Sequence, residues 1–174
     1  MDTQPNKKIY GVYIKSVLTS KITLSITEVG NNLKQNLEKV IQHNNEGKCT
    51  PEGFIKPNSV KIISYSSGNV HNEYIIFQVV YECMVCYPVE GMLIEPIVKT
   101  ITKAGIHAEI IEEDGTIPVT VFVSRDHHSN DKRLSQIKIG DKMLVSVIGS
   151  RFELNDKFIS VIANIVYDTN FKKK

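Results

Sequence analysis

Long apolar runs, low-complexity tracts and an even set of cysteines are all missing from this chain of 174 residues. No stretch approaches the roughly 20 consecutive apolar residues that a bilayer crossing needs. The opening residues, MDTQPNKK, lack the apolar core of a signal peptide. Three cysteines cannot pair off completely, which points away from a secreted disulfide scaffold and toward a reducing compartment. A strong excess of one charge is missing too, because the net charge is only +2. Residues 1–87 carry nine Lys/Arg and seven Asp/Glu, and residues 88–174 carry twelve of each, three of the positive ones being Lys172, Lys173 and Lys174. Each phosphate contact needs a local cation, so bulk electrostatics is excluded as the basis of nucleic-acid binding, and any such site must be a patch. Apolar residues at 41% and charged residues at 23% suffice for a folded chain of one or two domains.

The second half reads as five short strands over residues 92–101, 105–111, 119–124, 142–147 and 158–166, each rich in β-branched or aromatic residues. Turn signals separate them: 102–104, the Glu112-Glu113-Asp114-Gly115 stretch, a polar loop over 126–140, and 154–157. Five strands with one long loop between the third and fourth predict a closed barrel of the oligonucleotide-binding (OB) kind, a fold that holds single-stranded nucleic acid on one face. Pro96 inside the first of these strands predicts an edge or a bulge there.

The first half is different. Residues 21–27 alternate strictly, with Ile22, Leu24 and Ile26 on one face, which predicts a half-buried strand. A strand over 10–18 leads into it, with Thr19-Ser20 as the turn. Asn31 and Asn32 offer helix-capping side chains before a Leu33, Leu37, Val40, Ile41 stripe that stops near Asn44-Asn45, with Gly47 beyond. Strands over 59–65 and 73–86 follow, joined by the loop 66–69; in the longer one Ile75, Phe77, Val79, Tyr81, Cys83 and Val85 share a face. The fold class is therefore an α+β first domain (1–87), one helix on a small antiparallel sheet, followed by an all-β five-stranded OB-fold barrel (88–174). Tyr87-Pro88-Val89-Glu90-Gly91 marks the boundary without the composition of a flexible linker.

Cys83-Met84-Val85-Cys86 has the C-x-x-C spacing of zinc and redox sites. Within a strand, however, positions 83 and 86 face opposite ways, and no second ligand pair completes a tetrahedral site. His127 and His128, beside Arg125 and Asp126, diverge on an extended backbone and read as polar residues of a solvated loop. No phosphate-cradling glycine loop, nucleophile elbow or paired-carboxylate motif is present, so the chain is not expected to be an enzyme, and no cofactor or metal is implied. The candidate binding residues lie on the second and third barrel strands. Val119, Val121 and Val123 make an interior face, which turns Phe122 and Thr120 outward, whereas the pattern leaves His107 open between core and surface. Lys103 and Arg125 end these strands, and Arg151 and Lys142 could extend the patch. Stacking on an exposed aromatic contributes roughly 1–3 kcal/mol per base.

A resemblance then emerges from the order of motifs. Thr23-Leu24-Ser25-Ile26, Gly30-Asn31-Asn32-Leu33 opening a helix, and Gly47-Lys48-Cys49-Thr50-Pro51-Glu52-Gly53-Phe54-Ile55 come first. Pro88-Val89-Glu90-Gly91, Val121-Phe122-Val123-Ser124-Arg125, Gly140-Asp141-Lys142 and Val147-Ile148-Gly149-Ser150-Arg151 follow. Together they resemble the larger, barrel-bearing stalk subunit of multisubunit RNA polymerases, the seventh subunit of eukaryotic RNA polymerase II and its archaeal counterpart, over nearly the whole chain from about Lys7 to Val166. The resemblance implies an N-terminal tip domain that docks on the polymerase core near the clamp and a C-terminal S1-type barrel near the RNA exit path. It also implies a smaller helical stalk subunit as partner and single-stranded RNA as ligand. Carried onto this chain, the docking motif is Cys49, Thr50, Pro51, Glu52, Gly53 and Phe54; the RNA-contacting positions are His107 and Phe122, with Lys103, Arg125 and Arg151 as flanking cations.

Met92-Leu93-Ile94-Glu95-Pro96 departs from the family's acidic residue after the junction glycine, and Phe171-Lys172-Lys173-Lys174 replaces its acidic ending. Asparagine- and lysine-rich loops fit an AT-rich genome such as that of a large DNA virus or a protist. The expected locations are the nucleus for a cellular protein, and the viral factory in host cytoplasm or the virion for a viral one. The rival expectation is a free-standing S1 protein of translation or RNA processing, although such proteins normally begin at the barrel.

Overall fold

The computed structural model describes residues 11–126 and 134–167, so His127, His128 and the terminal lysines lie outside the described residues. Two compact units emerge. One comprises Tyr13–Tyr87 together with Glu153–Lys157; the other comprises Pro88–Phe152 and the chain from Phe158, with Gly11 and Val12. Residues 153–157 belong with the first unit.

The first unit is a helix on an antiparallel sheet. Strand β1 (Tyr13–Ser25) pairs residue for residue with β6 (Tyr74–Cys86), from Tyr13 opposite Cys86 to Ser25 opposite Tyr74. The turn expected at Thr19-Ser20 does not form. Both residues fit a pleated strand, they pair with Val80 and Val79, and the Ser20 hydroxyl lies 3.2 Å from the Tyr81 hydroxyl. Helix α1 (Leu33–Asn45) buries Leu37 and Ile41 completely, with Leu33 and Val40 beside them, as the stripe predicts. Its stripe packs on Ile22 and Leu24 of β1 and on Phe77, Val79, Tyr81, Cys83 and Val85 of β6, the alternating face read from the sequence. Burying each such side chain stabilises the fold by roughly 1.5–3 kcal/mol. Asn32 caps the helix without a side-chain hydrogen bond; instead the Asn36 amide reaches back to the Glu28 carbonyl at 2.8 Å.

Three short strands complete this sheet: β2 (Cys49–Thr50) and β3 (Gly53–Ile55), a tight hairpin, and β5 (Asn69–His71), none of them expected. They are too short to show a period, and only pairing with β6 reveals the last two. β4 (Lys61–Tyr65) begins two residues later than expected because the Glu46 carboxylate claims the preceding backbone. Its oxygens accept from the N–H groups of Asn58, Ser59 and Val60 at 2.9, 3.1 and 3.0 Å. Glu46→Gln converts one acceptor into a donor facing these N–H groups. It is expected to destabilise the fold by about 1–2 kcal/mol, measured by urea unfolding.

The second unit is one curled six-stranded sheet in the order β7-β11-β12-β10-β9-β8. Its strands are β7 (Leu93–Ile94), β8 (Ile97–Ile101), β9 (Gly105–Ile110), β10 (Val119–Ser124), β11 (Val145–Arg151) and β12 (Ile159–Ile165). The two ends of that order, β7 and β8, are halves of one strand interrupted at Glu95-Pro96, where the proline cannot donate to a ladder. The sheet therefore curls round until its two ends share a single broken strand, which makes five strands into an OB-type barrel. β10 and β12 run parallel and all other pairs antiparallel. Its core holds Val98, Ile106, Ala108, Val119, Val121, Val123, Val145, Val147, Ile159, Val161 and Ala163. The fourth barrel strand is expected over 142–147. Lys142 makes only an isolated bridge to Ile97, and a bulge between Val147 and Gly149 lets the strand continue to Arg151.

Candidate nucleic-acid interface

On the barrel's outer face the register aligns one residue from each of five neighbouring strands. Gly149 pairs with Ile162, Ile162 with Phe122, Phe122 with His107, and His107 with Thr100. Because positions 119, 121 and 123 are buried, Phe122 stands outward as the valine pattern predicts, and His107, left open by the sequence, is exposed beside it. The two rings lie 4.8 Å apart at an interplanar angle of 46°. Gly105 makes room for them: a Cβ there would lie 2.8 Å from Phe122 Cζ and would collide with the Val123 carbonyl. Any side chain at 105 would displace the ring.

A hollow of about 440 Å³ follows this row, lined by His107, Phe122, Ile162 and Gly149 with Thr120 and Arg151. Ile162 is half exposed there, at 51%. One exposed cation, Arg151, lines the hollow. Arg151 pairs with Ser160 at the end where β10 begins. Arg125 follows the last residue of β10, and its N–H donates to the Ala104 carbonyl at 3.0 Å, which brings Arg125 and Lys103 to the same strand exit. Of the five residues expected to contact nucleic acid, His107, Phe122 and Arg151 line this hollow, whereas Lys103 and Arg125 lie at the β9–β10 strand exit. Sequence reasoning missed Ile162, Ser160 and Gly149. The alternation of Ile159, Val161 and Ala163 would have turned the first two outward, whereas Gly149 depends on the bulge. Lys142 lies outside this row, bridged to Ile97.

No family model matches the chain. A protein of Acanthamoeba polyphaga mimivirus that bears the name of a DNA-directed RNA polymerase subunit is 28% identical over 172 residues, covering 89% of this chain and 82% of its own length. The seventh subunit of RNA polymerase II from Arabidopsis thaliana is 29% identical over 117 residues, covering 66% of this chain and 62% of its own length. The chain is thus similar to RNA polymerase subunits of the seventh-subunit kind.

The stretch Cys49–Phe54, which the resemblance assigns to docking, lands on the β2–β3 hairpin, and burial divides it. Cys49 and Phe54 are 1% and 0% exposed, and Gly53 is buried at a φ of +126° where a Cβ would strike the Cys86 carbonyl. Thr50 is buried too, its hydroxyl donating to the Gly53 carbonyl at 3.1 Å. Only Pro51 and Glu52 are exposed. The Cys49 and Phe54 side chains therefore form part of the unit's own core, and a partner would meet the hairpin turn. Alongside, Cys49 N–H donates to the Asp156 carbonyl at 2.8 Å and its carbonyl accepts from Asn155 N–H at 2.9 Å.

Cys83 and Cys86 are both buried, Cys83 in the helix-covered core and Cys86 opposite Tyr13 and Phe54. Among the described residues no cluster of metal ligands forms. Burial, reinforced by Asp156, pushes the Cys49 thiol up to about 11; burial, reinforced by Glu52 and Glu46, does the same to Cys83. The folded chain holds both neutral where the unfolded chain, with an ordinary value of 9.0, already ionises. The stability these two thiols contribute is therefore fully present below pH 9 and is lost as pH rises toward 11. Ellman's reagent at pH 8 is expected to react with no thiol of the native protein within minutes and with all three after denaturation.

Proposed function

We propose that this chain is a non-catalytic stalk subunit of a DNA-directed RNA polymerase whose barrel contacts nascent single-stranded RNA. The observation that carries the reading is the outward row of Phe122, His107 and Ile162, with Arg151 lining the same hollow and Lys103 and Arg125 at the nearby β9–β10 strand exit. Flat rings accept bases of any sequence, and the cations meet the backbone phosphates, which is how OB barrels hold single strands. With so few cations the affinity is modest and its salt dependence shallow.

The helix-bearing unit docks on the polymerase core near the clamp through the hairpin turn at Pro51 and Glu52, and a smaller helical subunit packs alongside. Such a subunit works where its polymerase works, in the nucleus or in a viral factory. Among the described residues no helix is long and apolar enough to cross a membrane. A tagged chain expressed in its own host or infected cell should co-purify with the two large polymerase subunits. Consistent recovery with ribosomes in their place would overturn the assignment and favour an S1 protein of translation.

A further inference from the structure

Two residues along the strands from the aromatic row runs a second, polar row. Arg151 of β11 pairs with Ser160 of β12, Ser160 with Thr120 of β10, and Thr120 with Glu109 of β9. The alternation that turns Phe122 and Ile162 outward turns Thr120 and Ser160 to the same face. Neighbouring strands lie about 4.8 Å apart and residues i and i+2 about 6.7 Å apart. The two hydroxyls are thus adjacent to each other and roughly one nucleotide half-width from the rings. Neither hydroxyl has a hydrogen-bond partner among the described residues, unlike Ser150, whose hydroxyl donates to the Pro88 carbonyl at 2.8 Å. Charge along the row is graded: Arg151 stands at one end, and Glu109, 3.9 Å from the Lys99 ammonium, at the other.

We propose that Thr120 and Ser160 form a ribose subsite, so that the barrel binds single-stranded RNA in preference to DNA of the same sequence. This inference rests on the RNA-contacting reading above. With a base stacked on Phe122 or His107, its sugar falls over the hydroxyl row and the adjoining phosphate reaches Arg151. A serine or threonine hydroxyl can both donate and accept, which matches the ribose 2′-OH. Deoxyribose offers no partner, and the hydroxyls then gain nothing over water. One or two neutral hydrogen bonds correspond to roughly threefold to tenfold in affinity.

The test measures fluorescence anisotropy of one labelled oligonucleotide made as RNA, as DNA and as 2′-O-methyl RNA, against the full chain and its Thr120→Val/Ser160→Ala double variant. Expected is tighter binding of RNA than of the other two by about threefold to tenfold. The double variant, with an unchanged thermal melt, should lower RNA to the DNA level and leave DNA within about twofold. Equal affinity of the unmodified chain for RNA and DNA would refute the ribose subsite while leaving RNA contact intact. So would equal weakening of both by the variant, which would indicate a phosphate contact alone. Absence of binding to every oligonucleotide would remove the RNA-contacting reading itself, and the subsite with it.

Discussion

Phe122→Ala is expected to weaken single-stranded RNA binding by roughly 1–3 kcal/mol, about fivefold to 150-fold, while the thermal melt shifts little. The ring stands on the outer face of β10, paired across the ladder with His107 and Ile162, so its removal leaves the valine interior of the barrel untouched. What is lost is a flat surface 4.8 Å from the His107 ring. Anisotropy titrations together with a thermal melt separate the two outcomes. If the melt instead drops by the roughly 3–5 kcal/mol typical of a core aromatic, the ring belongs to the barrel interior and the stacking platform is gone. Gly105→Ala offers a check from the opposite strand, since its methyl would occupy the space of Phe122 Cζ.

Phe54→Ala should cost roughly 3–5 kcal/mol of stability, a large share of the 5–15 kcal/mol that typically separates folded from unfolded chains. Phe54 is 0% exposed and pairs with Cys49 and Cys86, so truncation opens a cavity where the hairpin meets β6. Glu52→Lys, on the exposed turn two residues earlier, should change stability by less than about 0.5 kcal/mol. Its carboxylate accepts one hydrogen bond, from the Thr50 hydroxyl at 3.1 Å. The pair therefore divides the motif into fold and contact. Urea unfolding measures the first effect; retention of large polymerase subunits by Glu52→Lys measures the second. Loss of retention at unchanged stability supports docking through the turn, and full retention at physiological salt refutes it.

Period was the legible signal. The alternation of Ile75, Phe77, Val79, Tyr81, Cys83 and Val85 and the helical stripe of Leu37 and Ile41 are both core in the folded chain, because burial follows directly from the geometry of strand and helix. The valines of β10 likewise gave the direction of Phe122. Short elements were not legible. β2, β3 and β5 hold two or three residues each, too few for any period, and exist because β6 or each other supplies their hydrogen bonds. The false turn at Thr19-Ser20 has the same origin: small polar residues signal a turn locally, and a 13-residue partner strand overrides them.

From the amino-acid order alone came the class of each part and the outward aspect of Phe122. Those depend on local spacing and on which side chains water excludes. Only the tertiary structure decided that Gly149, Ile162, Phe122 and His107 form one row, that Thr120 and Ser160 stand beside it, and that Cys49 and Phe54 are core. Register between strands far apart in sequence sets such neighbours, and a parallel pair such as β10 and β12 leaves no local mark of it.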